Sequence, residues 1–280
     1  MQRGSEKNRQ KRIIVQIYEV QDPFEVEPLV GLGVDHIGSV LISGENWKTP
    51  AVREVIHLVQ STSAKSCLIP LFSDPNLLLN TLDYYQPDVI HFCEDLVNSR
   101  HQAHDFSPLM RLQEAVKERF PEIKTMRSIP IRLARTNTHV DSLRIARIFE
   151  PVTDFFLTDT WLGHSGFDGQ PVSGFVGITG KPCDWNIAAS LVRASRVPVI
   201  LAGGISAENV SDGIKKVQPA GVDSCTLTNM VDEQGRPIRF KKDLKKVRKL
   251  VEAVRRAERE FVKEKGESIY VRCERFKKGA

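Results

Sequence analysis

The amino-acid sequence predicts an α/β protein folded as a single-domain (β/α)8 (TIM) barrel. Short apolar runs alternate with longer amphipathic stretches over most of the 280 residues. Several of these runs are apolar on both faces, which is typical of strands in a buried parallel sheet. Eight strand–helix units in roughly 250 residues match the barrel. An open doubly wound sheet gives the same alternation with fewer strands, so the count of eight favours the barrel.

The apolar runs define the strands, and the amphipathic stretches define the helices. The predicted strands are Ile13–Tyr18, Ile37–Ile42, Cys67–Phe72, Val89–Phe92, Ile123–Ile129, Phe155–Leu157, Val199–Ala202 and Val222–Leu227. The predicted helices are Pro50–Gln60, Pro75–Tyr85, Ser107–Arg119, Asp141–Phe149, Asp184–Arg193 and Ala207–Val217. Capping residues support two of the helix starts, because Asp74 precedes the second helix and Ser206 precedes the last.

Composition excludes several classes of protein. Apolar residues make up 41% of the chain and charged residues 27%, which excludes a disordered or fibrous protein. No apolar run approaches the roughly 18 residues of a membrane span, and the N-terminus lacks a signal-peptide pattern, so we expect a cytoplasmic protein without membrane contact. The five cysteines are scattered without zinc spacing, which argues against disulfide bonds and a structural metal.

The net charge of +5 is concentrated near the C-terminus. Residues 241–280 hold 15 Lys and Arg against 7 Asp and Glu, which leaves the rest of the chain at −3. Apolar side chains recur there at helical spacing, which predicts an outer barrel helix with a solvated basic face. Without an aromatic stacking set, nucleic acid is not expected as a partner. We therefore divide the chain into an N-terminal extension (1–11), the barrel (12–261) and a basic tail (262–280).

Polar side chains gather where the predicted strands end, and active sites of barrels lie at that end. Four of them, from three strand ends, offer the mixed oxygen and nitrogen ligands that a metal could use. These are Glu19, His91, Glu94 and Asp159. Because the four show no ligand spacing, a solvated polar rim is the favoured interpretation, and no metal or cofactor is predicted.

The strongest local signal is the segment 198–209, Pro-Val-Ile-Leu-Ala-Gly-Gly-Ile-Ser-Ala-Glu-Asn. Here a buried strand runs into Gly203 and Gly204 and then into a helix. Glycines let a backbone approach a ligand closely, and a helix N-terminus favours an anion, so the segment predicts a phosphate site. A tight turn that needs glycine and binds nothing is the alternative.

A second segment, 177–185, ends the long loop after the sixth strand and reads Gly-Ile-Thr-Gly-Lys-Pro-Cys-Asp-Trp. Gly180, Lys181 and a hydroxyl precede a helix that Asp184 caps. The pattern predicts a lid that closes over an anionic substrate.

Together the two segments resemble the phosphoribosylanthranilate isomerase family of tryptophan biosynthesis. That family carries Gly-Gly-Thr-Gly-Lys-Thr-Phe-Asp-Trp in the loop, and Pro-Val-Ile-Leu-Ala-Gly-Gly followed by Glu-Asn after it. The matching positions here are Gly177, Thr179, Gly180, Lys181, Asp184, Trp185, 198–204, Glu208 and Asn209. The segments 33–38 and 221–223 are similar to the family's second and eighth strands. The resemblance implies a (β/α)8 barrel whose seventh and eighth loops hold a phosphate.

The resemblance also implies a role for Asp159. In this family an aspartate at the end of strand six is the general acid of an Amadori rearrangement. It protonates the ribose ring oxygen, the ring opens to a Schiff base, and a strand-one cysteine removes the C2 proton. The segment 156–159, Phe-Leu-Thr-Asp, is similar to the family's Leu-Leu-Asp, so Asp159 keeps the acid position. A cap of the following loop is the alternative role for this carboxyl group.

Three regions depart from the family pattern. Tyr18 stands where the cysteine base is expected, and a phenol with a pKa near ~10 is a poor base at neutral pH. Glu19 is adjacent, but strand alternation predicts that it points away from the barrel axis. Lys48 is the substitute charge for an arginine expected after strand two. Leu227 replaces a glycine of the phosphate cradle, beside Thr226 as the predicted side-chain donor.

The sequence thus predicts an enzyme for a small phosphorylated ribosyl or sugar substrate, as a monomer or homodimer. The predicted reaction is an aldose–ketose (Amadori) isomerisation, an intramolecular oxidoreduction. The catalytic candidates are Asp159, Tyr18 and Glu19, and the binding candidates are Gly203, Gly204, Thr226, Gly180, Lys181 and Lys48. A different, metal-assisted phosphosugar isomerase, epimerase or aldolase and a non-catalytic phosphate-binding barrel stay open as alternatives. Because no base is identified, we expect low turnover of phosphoribosylanthranilate and little effect of Tyr18→Phe.

Overall fold

Eight parallel strands close into one barrel in the computed structural model, which describes residues 12–97, 105–136, 139–163 and 174–277. Each strand pairs with its neighbours in chain order, and β8 pairs with β1 to close the sheet. The predicted (β/α)8 barrel is confirmed. Within the described ranges, no helix has the length and apolar character that crossing a membrane requires.

The strands and helices alternate along the chain. The barrel strands are β1 (Ile14–Ile17), β2 (His36–Leu41), β3 (Lys65–Pro70), β4 (Val89–Phe92), β5 (Lys124–Arg132), β6 (Phe155–Trp161), β7 (Val199–Leu201) and β8 (Gly221–Ser224). The helices are α1 (Val26–Gly31), α2 (Pro50–Gln60), α3 (Pro75–Tyr85), α4 (Ser107–Arg119), α5 (Ser142–Phe149), α6 (Trp185–Ala194), α7 (Val210–Val217) and α8 (Leu244–Lys277). An antiparallel hairpin, β9 (Asn229–Val231) and β10 (Pro237–Lys242), follows β8.

The eighth strand ends earlier than the sequence predicts. β8 stops at Ser224, whose hydroxyl donates to the Ile205 carbonyl. Cys225 then leaves the extended conformation, and Thr226–Thr228 form a 3-10 turn that the Thr228 hydroxyl stabilises by bonding to the Cys225 carbonyl. Thr226 therefore lies in a turn above the barrel, not on a strand.

Helix α7 also begins later than predicted, at Val210. The turn before it is held by two reciprocal bonds, because the Ser206 hydroxyl accepts from the Glu208 N–H and the Asn209 side chain accepts from the Ser206 N–H. The N-cap of α7 is Asn209, whose side chain does not cap the helix, so the prediction of Ser206 as the N-cap is wrong and Ser206 instead stabilises the preceding turn.

Side chains from the strands fill the barrel, and the helices cover its outside. Tyr18, Cys67, Met126 and Ile200 belong to the interior cluster. Outside, the apolar face of α8 packs on the barrel, as its spacing predicts, with the buried side chains Val247, Leu250, Val251 and Val254. These layers leave the carboxyl ends of the strands as the place where polar side chains can meet.

Candidate active site

A cavity opens at the carboxyl ends of the strands, and its wall is formed by most of the βα loops. It brings together seven of the nine candidates from the sequence. These are Tyr18, Glu19, Asp159, Gly180, Gly203, Gly204 and Thr226. In the long loop between β6 and α6, residues 175–180 line the cavity, and residues 164–173 lie outside the described ranges.

Two predicted lysines do not line this cavity. The Lys48 ammonium lies 5.0 Å from the centroid of the Trp47 ring and 5.6 Å from that of Tyr84. The structure therefore does not place Lys48 in the cavity wall, because cation–π attraction holds its ammonium group on these rings. Lys181 contributes its backbone, since its carbonyl accepts from the Thr160 hydroxyl at 2.7 Å and fixes the loop on β6.

Asp159 lies in β6 and faces the cavity. Burial raises the pKa of its carboxyl group to about 7, although hydrogen bonds from Ser128 and from the Thr160 backbone oppose the shift. Gly177 passes directly over this group, and a Cβ atom at position 177 would lie 2.7 Å from Asp159 Oδ2. The glycine lets the loop shield the carboxyl group from water, which favours the protonated form.

A chain of hydrogen bonds leads from Tyr18 to Asp159. The Ser128 hydroxyl donates to Asp159 Oδ2 at 3.1 Å, so its oxygen is left to accept from His91 Nε2 at 2.9 Å. His91 Nδ1 then accepts from the Tyr18 hydroxyl at 2.9 Å. Every donor in the chain points towards Asp159 Oδ2. When Asp159 is protonated, its own proton is consequently directed to Oδ1.

The same chain argues against Tyr18 as a base. Burial raises the pKa of Tyr18 well above its usual value, and its proton is directed at His91. Burial also lowers the pKa of His91 to about 3, so this imidazole is neutral and does not take up a proton at pH 7. The phenol ring packs on Gly38, where a Cβ atom would lie 2.1 Å from Tyr18 Cδ1. Tyr18 is thus a fixed hydrogen-bond donor at the bottom of the cavity.

Glu19 does not follow the predicted orientation. β1 ends at Ile17, and Glu19 has a φ of 65°, so strand alternation no longer applies and the side chain turns to the cavity wall. Its carboxylate is fully buried and accepts from Arg239 Nε at 2.6 Å and from Asn229 Nδ2 at 3.1 Å. Both partners belong to the β9–β10 hairpin, which the sequence analysis did not predict.

The four residues of the metal hypothesis do not form a ligand set. His91 is bonded to Tyr18 and Ser128, and Glu94 forms an ion pair with the buried Arg127. Among the described residues, no group of three or more His, Cys, Asp or Glu has the geometry to hold a metal ion. The interpretation as a solvated rim is also wrong for His91 and Glu94, because both are buried and bonded.

Asp223 is a cavity residue to which the sequence analysis assigned no role. It lies in β8 opposite Gln16 of β1, whose amide donates to Asp223 Oδ1 at 3.1 Å. Burial, and then the nearby charge of Asp159, raises the pKa of Asp223 to about 7, while the Lys242 ammonium opposes the shift. The signal was present in the sequence, because an aspartate inside an apolar strand is rarely buried without a purpose.

The two glycines after β7 are required by packing. Both have positive φ, and a Cβ atom at position 203 would lie 2.4 Å from the Thr160 hydroxyl oxygen. At position 204 it would lie 2.7 Å from the carbonyl carbon of Lys181. The turn therefore accommodates the neighbouring loop whether or not it also binds an anion.

An orphan hydroxyl lies above this turn. Thr226 Oγ1 is buried and has no hydrogen-bond partner in the described part of the chain, although it belongs to the cavity wall. Buried hydroxyl groups are normally satisfied, so an unpaired one in a cavity wall is a candidate donor to a ligand. Leu227 also lines the cavity and is 36% exposed, which places it at the mouth and not in the barrel wall.

Comparison with known proteins identifies a matching family model and similar sequences. The family model described as "N-(5'phosphoribosyl)anthranilate (PRA) isomerase" matches residues 115–253. An N-(5'-phosphoribosyl)anthranilate isomerase of Methanosarcina acetivorans is 34% identical over 247 residues, which cover 86% of this chain and 92% of the relative.

Solved structures share the fold. The isomerase of Pyrococcus furiosus superposes with a TM-score of 0.59 at 19% identity, covering 88% of this chain and all of that one. A complex of such an enzyme with reduced 1-(o-carboxyphenylamino)-1-deoxyribulose 5-phosphate gives a TM-score of 0.59 at 16% identity, covering 87% and 98%. With the sequence relationship over nearly the whole length of the relative, the chain belongs to the N-(5'-phosphoribosyl)anthranilate isomerase family.

Proposed function

We propose that this protein converts N-(5'-phosphoribosyl)anthranilate into its 1-deoxyribulose isomer by an Amadori rearrangement, as a step of tryptophan biosynthesis. The observation that carries the proposal is the half-buried carboxyl group of Asp159 in the cavity wall, where desolvation raises the pKa to about 7. A general acid works best when its pKa lies near the working pH. Family membership supports the same activity, since the relatives carry that name.

Asp159 acts on the ribose ring oxygen. Its proton lies on Oδ1, because the chain from Tyr18 through His91 and Ser128 fills Oδ2 with a donor. When the proton moves to the ring oxygen, the C1–O bond breaks and the anilino nitrogen forms the C1=N bond of a Schiff base. Ser128 then stabilises the carboxylate that remains, through a hydrogen bond that is already in place.

The phosphate of the substrate binds between the turns that follow β7 and β8. Thr226 Oγ1 needs an acceptor and lines the cavity together with Gly180, Gly203 and Gly204. The N–H groups of the glycines and the partial positive charge of the turn before α7 favour an anion there. A phosphate oxygen about 2.9 Å from Thr226 Oγ1 satisfies the hydroxyl.

The experiment is a fluorescence assay of the purified protein with freshly made phosphoribosylanthranilate, combined with calorimetric titration of reduced 1-(o-carboxyphenylamino)-1-deoxyribulose 5-phosphate and of its dephosphorylated form. We expect the protein to turn over phosphoribosylanthranilate. We also expect it to bind the phosphorylated analogue and not the dephosphorylated form. Binding without turnover would make the protein a non-catalytic phosphate-ligand barrel. Absence of both would refute the proposed function.

A further inference from the structure

We infer that Asp223 is the general base that removes the C2 proton, in place of the family's strand-one cysteine, at whose position this chain has Tyr18. The inference rests on the proposed function, and it assigns the one chemical role for which the sequence offered no residue. It follows from the strand register, from the partners of the other candidate bases and from the charges around the two aspartates.

The strand register places Asp159 and Asp223 in the same layer of the barrel. Leu157 of β6 pairs with Ile200 of β7, and Ile200 pairs with Gly221 of β8. Two residues further along, β6 carries Asp159 and β8 carries Asp223, and both line the cavity. Because strands lie about 4.8 Å apart, the two Cα atoms are separated by about 10 Å. A ribose can therefore lie between the two carboxyl groups.

The other basic groups of the cavity wall are occupied or protonated. Glu19 receives hydrogen bonds from Arg239 and Asn229 on its two oxygens. Burial raises the pKa values of the Cys93 and Cys225 thiols well above their usual range. On Asp223 the bond from Gln16 takes up Oδ1 and leaves Oδ2 for a substrate proton.

The charges around the pair decide which aspartate holds the proton. Each negative charge disfavours the other, so near neutral pH the pair carries one shared proton. The Lys242 ammonium favours the ionised form of Asp223. The pKa of Asp159 is governed by burial, opposed only by uncharged donors, Ser128 and the Thr160 N–H. Asp159 consequently enters the reaction as the acid and Asp223 as the carboxylate.

This assignment balances the protons of the whole reaction. After ring opening, Asp223 Oδ2 takes the C2 proton, the C–H electron pair forms the C1=C2 bond, and the C1=N electrons return to nitrogen. The resulting enolamine then becomes a ketone, when C1 receives the proton from Asp223 and the C2 hydroxyl gives its proton to Asp159. Both aspartates return to their starting states, and no other reactant is needed.

The test compares Asp223→Asn with Asp88→Asn, using substrate with hydrogen or deuterium at C2 of the ribose. Asp88 is a matched control, because its carboxylate lies at the opposite end of the barrel and bonds to Ser66 and Lys65. For Asp223→Asn we expect kcat to fall by about 10²–10⁴ and the deuterium isotope effect on kcat to rise. Binding of the reduced product analogue should change less than about threefold, which corresponds to less than about 0.7 kcal/mol. Asp88→Asn should leave kcat and the isotope effect unchanged.

The outcomes separate this inference from the proposed function. If the wild type turns over substrate and Asp223→Asn retains kcat within tenfold, Asp223 is not the base and the proposed function stands. A variant that loses binding of the product analogue, or an isotope effect that stays at its wild-type size, would also overturn the assignment. A wild type that binds the analogue without turning over substrate overturns both.

Discussion

Aspartates at the two ends of the barrel have different hydrogen-bond and ion-pair partners. At the amino end, Asp35, Asp88 and Asp154 each stand directly before an even-numbered strand and accept a backbone N–H from the preceding odd-numbered strand. Each is also paired with a Lys or Arg. At the carboxyl end, Asp159 and Asp223 face a cavity with only uncharged groups in hydrogen-bond contact.

The pKa values follow this difference. Burial acts on both ends, but at the amino end the hydrogen bonds and the lysines outweigh it and lower the pKa values of Asp88 and Asp154. At the carboxyl end burial prevails and raises the pKa values of Asp159 and Asp223 to about 7. A paired lysine thus accompanies the lowered pKa values of Asp88 and Asp154, whereas Asp159 and Asp223 have no hydrogen-bonded cation among the described residues and their raised pKa values suit the proton transfer proposed for them.

The largest expected effect of changing one of these aspartates is on kcat. Asp159→Asn should lower kcat by about 10²–10⁴, because the amide cannot deliver a proton to the ring oxygen. Binding of the phosphorylated product analogue should stay nearly intact, since the acid acts several bonds from the phosphate. The matched control is Asp154→Asn, five residues earlier on the amino side of β6, which should leave kcat unchanged. Wild-type turnover by the Asp159 variant would show that this carboxyl group is not the acid.

The free energy of unfolding should fall in Asp154→Asn and not in Asp159→Asn, the reverse of the order expected for kcat. Asp154→Asn should lower the free energy of unfolding by about 1.5–3 kcal/mol, because the carboxylate bonds to Lys117 and to the Thr125 N–H are lost. Asp159→Asn should raise it at pH 8, where the wild type holds an ionised and poorly solvated carboxylate.

The sign of the pH dependence follows from proton binding. Because the folded pKa of Asp159 lies above the unfolded value near ~3.9, the folded state binds more protons between pH 4 and 7, and stability falls as the pH rises through that window. The variant should therefore gain about 4 kcal/mol at most over the wild type at pH 8, and little at pH 4. Urea unfolding at the two pH values checks this, and an equal gain at both would contradict it.

An intermediate effect is expected at the phosphate turn. Thr226→Val removes a hydroxyl that lacks a partner, so it should weaken binding of the phosphorylated analogue about five- to tenfold and leave stability unchanged. Thr228→Val is the matched control, because its hydroxyl bonds to the Cys225 carbonyl. It should lower stability and leave affinity unchanged. Calorimetric titration of both variants measures these affinities. A similar loss of affinity in both would mean that the turn Thr226–Thr228 is only structural.

The sequence could predict the barrel because its strands are apolar on both faces and its helices carry an apolar stripe. It led to Asp159 and the glycine turns, which line the cavity, because these positions match a family pattern. It could not place Glu19, whose positive φ reverses a strand rule, or Lys48, which stacks on aromatic rings instead of facing the cavity. The role proposed for Asp223 was not predicted from the sequence, because it depends on the register of strands that lie far apart in sequence.

The smallest effect is expected at Tyr18, where the family pattern placed the base. In Tyr18→Phe, His91 loses its donor at Nδ1, but the bonds from His91 to Ser128 and from Ser128 to Asp159 persist. Because the proton of Asp159 is still directed to Oδ1, kcat should fall less than about threefold. Ser128→Ala removes the donor that contacts Asp159 directly and should reduce kcat more. If Tyr18→Phe instead abolished turnover while Ser128→Ala did not, the phenol would be reacting with the substrate itself, and the division between Asp159 and Asp223 would fail.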